Sequence, residues 1–442
     1  MDLQRWEKKF TRPHFLRVYF YFGLIGICLA LMAATIYLAS NVSHQWLLLS
    51  DQHTTSDFME SLSYLFVANP YKGYWASGEL RWSIYLPFAY YVLTPFGLLA
   101  QSAVRKYLGG FISLDLCYQN PVYFLTYLLY FTLHLVLILF LLGKRSGLKG
   151  KDLSFFLAGT AFHSGVFFCF GRGNVMLTTF LFALLFFLYR DSKKWWVREL
   201  SYLALAGAIA IKVYPIIIAL LFVHERKWLA LLRTAIYTAV LVFLPFLLIE
   251  GGFSSIPLFV SRVLDFGDAS RGLGLSNVSV ANFVAKLFYA VGRLFNVDLL
   301  PASKTVALIL SSALLALTAT LACFPKKKGD ELPFLLLLLS CYMLFQTVSY
   351  AYVFIFYTYV GLLLVQRFDS LPKQRKFFYL ASFLIIAQPL PLFWHLAFFG
   401  AVANAMLFAF SAYDLIKMIN KDAPGEDVLS MQEQSSPEEK AA

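Results

Sequence analysis

Charged residues are scarce in this chain. Asp, Glu, Lys and Arg make up 14% of its 442 residues, whereas 60% are hydrophobic. A soluble domain of this size exposes more charge, and apolar runs of roughly 18 or more residues recur along the chain. The composition therefore predicts an all-α, polytopic membrane protein.

Several familiar functional signatures are missing. The five cysteines form no C-x-x-C pair and the seven histidines have no metal-ligand spacing, so neither a disulfide framework nor a metal centre is expected. There is no P-loop, which leaves nucleotide-driven transport without support. The net charge of +12 suits cytoplasmic Lys/Arg bias in a membrane protein, and no basic, aromatic-interleaved face predicts nucleic-acid binding.

Hydropathy and charge predict the topology. With both termini in the cytoplasm and alternating spans, most of the 37 basic residues fall on the inner side, and one membrane domain covers residues 1–420. Outer loops then cover about 39–120 and 250–302. Within them the apolar stretches 86–104 and 277–292 lie along the interface, and the polar tail 421–442 is disordered. About twelve spans are predicted: 15–38, 121–142, 153–170, 175–189, 200–213, 214–224, 229–249, 303–324, 332–347, 350–366, 377–393 and 395–416.

The stretch 200–224 is unusual because basic residues flank both of its ends, Arg198 and Arg226. Two crossings of a core about 30 Å thick do not fit into this length. Two half-helices meeting at Lys212, with Pro215 beginning the second, satisfy both facts and place Lys212 beside a cavity. The alternative is one kinked helix whose Lys212 side chain reaches the interface.

The first outer loop holds the most interesting carboxylate. If residues 57–64 are helical, Asp57, Glu60 and Tyr64 share one face, and a carboxylate on such a face suits a general base. The alternative is a solvated helix face whose first turn carries Asp57 and is capped by Ser56.

Cationic residues recur in the other predicted outer segments. Arg172 lies in the turn Gly171-Arg-Gly-Asn174, which is either a binding element or a plain connector. The second outer loop carries Arg262 and Arg271, and is either a binding loop or an ordinary interfacial loop. Together with Lys212 these arginines would make an outer cavity cationic, which favours a phosphate-bearing ligand.

The order of these segments resembles the GT-C superfamily of membrane glycosyltransferases, and within it glycosyltransferase family 87. In that family an Asp of the first outer loop precedes a Tyr-x-Pro-Pro-like interfacial helix, here Asp57 and Tyr85-Leu-Pro87, with Phe88 in place of the second proline. Further matching elements are Gly171-Arg-Gly-Asn174, with Arg172 in place of Gln, Ala206 to Pro215 with Arg226-Lys-Trp228, and Asn277-Val-Ser279.

The resemblance implies a GT-C fold and a hexosyltransferase of the plasma membrane. It would move one sugar, mannose by default, from a polyprenyl-phosphate donor to a lipid or glycan hydroxyl on the extracytoplasmic face, with inversion. Asp57 would be the general base, and neither metal nor cofactor would be needed. The implied donor-phosphate ligands are Lys212, Arg172, Arg262 and Arg271, and the implied substrate contacts are Glu60, Tyr64, Arg81, Tyr85, Asn174, Tyr214, Asn277 and Ser279.

Two other classes stay open at this point. A flippase of lipid-linked sugars would explain the spans and the cationic cavity, but would leave Asp57 without a role. An acyltransferase would ordinarily place a histidine within the membrane, and His163 is a poor candidate; a glycan polymerase would depend on its larger outer loop more than on Asp57.

Overall fold

The computed structural model describes residues 11–40, 55–76, 79–269, 277–327, 329–346, 348–371, 373–388 and 397–420, and these are predominantly helical. Arg271 and the tail 421–442 lie outside the described residues. In chain order the first helices are α1 (Arg12–Ser40), α2 (Ser56–Ser63), α3 (Pro87–Tyr91), α4 (Thr94–Leu99), α5 (Gln101–Leu108), α6 (Pro121–Ser146), α7 (Gly150–Ala161), α8 (Ser164–Arg172), α9 (Met176–Tyr189) and α10 (Trp195–Ile211). They are followed by α11 (Leu220–His224), α12 (Trp228–Phe243), α13 (Ile256–Ala269), α14 (Val280–Phe295), α15 (Leu300–Ala322), α16 (Glu331–Leu344), α17 (Tyr357–Gln366), α18 (Lys373–Ala387) and α19 (Ala397–Asn420).

The first predicted outer loop folds into short elements. The strands β1 (Tyr74–Ala76) and β2 (Glu79–Arg81) pair antiparallel, with Tyr74 opposite Arg81. Helices α3, α4 and α5 have five, six and eight residues, so none of them is long enough to cross a membrane. The stretch 86–104 therefore contains no span, as predicted.

Fewer helices meet the criteria for a membrane span than the sequence predicted. Among the described residues four are long and apolar enough: α6, α12 with its extension to Leu248, α15 and Phe399–Asn420 of α19. A fifth span results if α7 and α8 are counted together. These helices agree with a helical membrane protein, whereas the number of twelve spans is not confirmed.

The predicted span 153–170 is broken in the middle. Helices α7 and α8 are separate and bent by 42° at a short break, where His163 caps α8 by accepting a hydrogen bond on Nδ1 from the Gly165 amide at 3.1 Å. The predicted spans 175–189 and 332–347 appear as the 14-residue helices α9 and α16. At 1.5 Å per residue each is about 21 Å long, shorter than a membrane core of about 30 Å.

The helix connections predicted to be cytoplasmic meet at one end of the molecule. Arg190 lies 3.4 Å from both Glu225 and Glu331, Lys326 lies 3.1 Å from Glu225, and Arg367 pairs with Glu331. We call these five residues the ionic cluster. Four separate connections of the chain thus contribute to one charged end, as the grouping of basic residues in the sequence predicted.

The segment 195–224 forms a hairpin. Helix α10 begins five residues after Arg190, and Glu225, directly after α11, returns to Arg190. At the far end Lys212 is extended, and a 3-10 helix containing Pro215 (Tyr214–Ala219) leads back into α11. The two half-helices predicted to meet at Lys212 are confirmed, and the alternative of one kinked helix is wrong.

Candidate active site

Asp57 lies in the first turn of α2, a helix that the sequence predicted. Thr55 precedes it in the left-handed region at φ 58°, without a side-chain cap bond. Ser56 is the first residue of the helix and not its cap, so that part of the alternative interpretation is wrong. The Thr55 amide donates to the Gly171 carbonyl at 2.9 Å, and the Tyr123 hydroxyl donates to the Thr55 carbonyl at 2.5 Å. These two bonds hold the start of α2 against α8 and α6.

The turn after α8 brings two side chains to the Asp57 carboxylate. Gly173 has φ +66°, and a Cβ at this position would lie only 2.9 Å from the Cβ of Phe58, so the turn fits against α2 because it carries a glycine. Arg172 Nη2 donates to Asp57 Oδ1 at 2.9 Å, and Asn174 Nδ2 donates to Oδ2 at 2.7 Å. The Asp57 side chain is 15% exposed, so the held carboxylate is still reachable.

Lys212, at the apex of the hairpin, lies in the same site. Its Nζ donates to the Tyr352 hydroxyl at 3.3 Å and lies 4.6 Å from the centre of the Tyr352 ring and 5.4 Å from that of Tyr85. Its charge also interacts with that of Asp57. The Asn174 amide, which holds Asp57, lies 3.5 Å from the Tyr85 hydroxyl. One aromatic-walled site thus contains a carboxylate and an ammonium group.

Tyr352 was not among the residues selected from the sequence. It lies in a 3-10 helix, Ala351–Phe356, which packs against α8 so closely that a Cβ on Gly165 would collide with the backbone of Ile355. Cys169 of α8 also points its thiol at the Tyr352 carbonyl at 3.8 Å. The one feature of the sequence that could have identified Tyr352 is its position near the start of the predicted span 350–366.

Asn277 and Ser279 have a supporting place in the structure. Asn277 Oδ1 accepts hydrogen bonds from the amides of Ser349 and Ser279, both at 3.0 Å. Ser279 caps α14 by accepting from the Asn282 amide at 3.2 Å. These bonds fix the segment that enters the 3-10 helix of Tyr352.

A second carboxylate lies one turn along α2 from Asp57. Glu60 Oε1 accepts a hydrogen bond from Arg81 Nη1 at 2.6 Å, and Arg81 also pairs with Glu79. Burial and, after it, the negative charge of Asp57 raise the pKa of Glu60, while Arg81 opposes this shift. The predicted face of Asp57, Glu60 and Tyr64 is present, and Tyr64 is buried against Tyr74 and Tyr90.

Other predicted residues lie elsewhere or cannot be placed. Arg262 Nε donates to the Tyr71 carbonyl at 3.2 Å, and its guanidinium stacks on Trp82 at 4.9 Å, so it joins α13 to the first predicted outer loop. Tyr214 packs edge-on against Phe345. In the described part of the chain no three His, Cys, Asp or Glu side chains form a metal-binding group. Metal independence stays a prediction.

Comparison with known proteins identifies the family. The family model described as glycosyltransferase family 87 matches residues 83–349, more than half of the chain. Neither the curated proteins nor the solved structures compared with the chain gave a match. Asp57 precedes the matched region but is bonded to Arg172 and Asn174 within it. The chain therefore belongs to glycosyltransferase family 87 and is a membrane glycosyltransferase.

Proposed function

We propose that the protein transfers one sugar, mannose in the first instance, from a polyprenyl-phosphate sugar to a hydroxyl group of a lipid or glycan, with inversion. The observation that carries this proposal is the joint placement of Asp57 and Lys212 around Tyr85 and Tyr352. A single displacement of this kind needs one base for the incoming hydroxyl and one cation for the departing phosphate.

Asp57 is the proposed base. A carboxylate has about four hydrogen-bond acceptor positions, and the bonds from Arg172 and Asn174 occupy one on each oxygen. The remaining positions are suited to an acceptor hydroxyl, whose proton passes to the carboxylate as its oxygen attacks the anomeric carbon. The two donors fix the direction of the carboxylate, so little reorientation precedes proton transfer.

Lys212 is the proposed ligand of the donor phosphate. The bond between the anomeric carbon and the phosphate oxygen breaks during transfer, and the negative charge on the phosphate grows. An ammonium group at the apex of the hairpin, among aromatic rings, stabilises that growing charge. Arg172 is bonded to Asp57, and we assign its main effect to the base; Arg262 and Arg271 as phosphate ligands stay predictions.

The first experiment compares the purified protein with its Asp57→Asn variant. Radiolabelled polyprenyl-phosphate sugars are offered as donors together with native membrane lipid and glycan extracts. Label should enter a product only with the unaltered protein, and the productive donor names the sugar. Activity of Asp57→Asn near that of the unaltered protein would refute the base assignment, whereas equal donor binding without any transfer would favour a flippase.

The second experiment concerns Lys212. The variant Lys212→Ala is expected to bind the productive donor at least tenfold more weakly, because a charge-assisted hydrogen bond contributes about 1.5–3 kcal/mol. Donor affinity is measured directly with the radiolabelled lipid, without acceptor. Unchanged affinity would remove Lys212 from the phosphate site.

A further inference from the structure

The polar cluster beside Asp57 has chemistry that the proposed transfer has not used. It consists of Glu60, Arg81 and Tyr107, which we call the Glu60 cluster. Glu60 and Arg81 are joined at 2.6 Å, and their side chains are 26% and 22% exposed. The Tyr107 phenol is buried and interacts with both of them. The cluster thus offers carboxylate, guanidinium and phenol groups in one place.

Two polar atoms of the cluster lack a partner within the part of the chain that the structure describes. They are the Tyr107 hydroxyl and Arg81 Nε, both shielded from solvent. A buried polar group without a hydrogen bond is costly, by about 1–3 kcal/mol. Such groups are retained more readily where a ligand or an ordered water supplies the missing bond.

Lys212 and the Glu60 cluster are separate groups of polar side chains next to Asp57, and each suits a different substrate, the sugar donor or the acceptor. In an inverting displacement the nucleophile and the leaving group lie on opposite sides of the anomeric carbon. Asp57, the proposed base, is next to both groups: its charge interacts with that of Lys212 and with that of Glu60, which lies one helical turn further along α2 and is bonded to Arg81. Because Lys212 is assigned to the departing phosphate, the Glu60 cluster is left for the substrate that brings the attacking oxygen.

We infer that the Glu60 cluster is the acceptor subsite, where it binds the hydroxyl groups of the sugar or polyol that carries the attacking oxygen. This inference rests on the proposed function. Glu60 accepts hydrogen bonds from such hydroxyls, while Arg81 and Tyr107 donate to them or to ring oxygens. The bonds place one neighbouring hydroxyl at Asp57.

A groove bordered by Tyr64, four residues after Glu60, indicates where the rest of the acceptor lies. It has a volume of about 310 Å³ and runs between the segment after α2 and the end of the span that finishes at Leu248. Tyr64 lines the groove and its phenol also interacts with Glu60. Leu248 is 71% exposed at the end of an apolar helix. A groove with Tyr64 in one wall and the exposed apolar end of a helix in the other favours an acceptor that is the head group of a membrane lipid.

The test measures donor and acceptor separately. Glu60→Gln and Tyr107→Phe are compared with Glu250→Gln, a control in the exposed Lys72–Glu250 pair of the same region. Transfer from the productive polyprenyl-phosphate sugar is titrated against the lipid extract and, in parallel, the aqueous glycan extract of native membranes.

We expect the apparent acceptor KM to rise about tenfold or more in Glu60→Gln and about two- to tenfold in Tyr107→Phe, with donor Kd within about twofold of that of the unaltered protein. The control should match the unaltered protein, and label should enter the lipid fraction.

Tyr107→Phe separates a binding role from a structural one. Because the phenol has no partner among the described residues, its removal should leave the melting temperature unchanged or higher. A lowered melting temperature with unchanged acceptor KM would overturn the inference, as would a loss of donor affinity in Glu60→Gln. Label confined to the aqueous glycan would overturn the lipid acceptor. If the unaltered protein transfers no sugar from any donor, the proposed function itself fails.

Discussion

At the scale of single residues, the site is assembled by contacts between distant parts of the chain. Asp57, Asn174 and Lys212 were predicted as site residues, and the structure brings them together. The pairing of Arg172 with Asp57 was not predicted, since 115 positions separate the two residues. Residue type and a local turn can be read from sequence, whereas the partner of a side chain depends on how the turn at Gly173 packs on α2.

Arg172→Gln tests the role that this pairing gives to Arg172. If Arg172 mainly orients Asp57, the variant should lower kcat about 10- to 100-fold, the equivalent of losing one charge-assisted hydrogen bond, and leave donor Kd within about threefold. Turnover and direct donor binding are both measured. Arg105→Gln, at an exposed position of the first predicted outer loop, is the control. A large loss of donor affinity with unchanged kcat would instead return Arg172 to the phosphate.

At the scale of elements, the two helix breaks, at Lys212 and at His163, show what sequence can and cannot reveal. The break at Lys212 was predictable because the basic residues at both ends of 200–224 require both ends on one side, whereas the stretch is too short for two full crossings. The break between α7 and α8 was not, because the run 153–170 is apolar on both sides of His163. Only the structure shows that His163 uses its ring nitrogen as a helix cap.

The contact of α8 with the 3-10 helix of Tyr352 allows a test at this scale. Gly165→Ala would place a methyl group against the backbone of Ile355, which cannot move as a flexible side chain would. We expect a lower melting temperature and weaker donor binding, because Tyr352 shifts away from Lys212. Gly143→Ala is the matched control, because it also replaces a glycine within a helix. Its methyl group would meet the Leu157 side chain, at 3.4 Å. Equal stability of the two variants would show that this close packing does not matter.

At the scale of the whole molecule, hydropathy predicted the class of protein better than the number of spans. Every residue of α16 after Glu331 is buried within the protein, although its sequence is as apolar as a membrane span. Hydropathy cannot distinguish a helix surrounded by other helices from one surrounded by lipid. Charge was more informative, because Arg190, Lys326 and Arg367 do meet at one end.

The ionic cluster predicts a pH-dependent contribution to stability. Burial would raise the pKa of Glu225, but Arg190, Lys227 and Lys326 outweigh it and lower the pKa to about 2. Glu225 therefore stabilises the folded protein fully above the ordinary carboxyl pKa of 4.5, and this contribution is lost as pH falls toward 2. Glu225→Gln should melt at lower temperature at pH 7, and the gap should narrow between about pH 5 and pH 3. A constant gap, or one equal to that of Glu250→Gln, would contradict the pairing.

The two ends of α9 make the orientation in the membrane testable. Arg190 of the ionic cluster follows its last residue, while Asn174 of the active site precedes its first, so the two ends lie about 20 Å apart. Basic connections favour the cytoplasm, which would place the active site outside. In a variant whose exposed Cys28 and Cys323 are replaced by serine, we introduce cysteine at Phe111, 84% exposed in the first predicted outer loop, or at Ser192 beside Arg190. A membrane-impermeant maleimide applied to intact cells should label Phe111→Cys and spare Ser192→Cys until the cells are opened. The reverse pattern would put the site on the cytoplasmic side and exclude an extracytoplasmic acceptor.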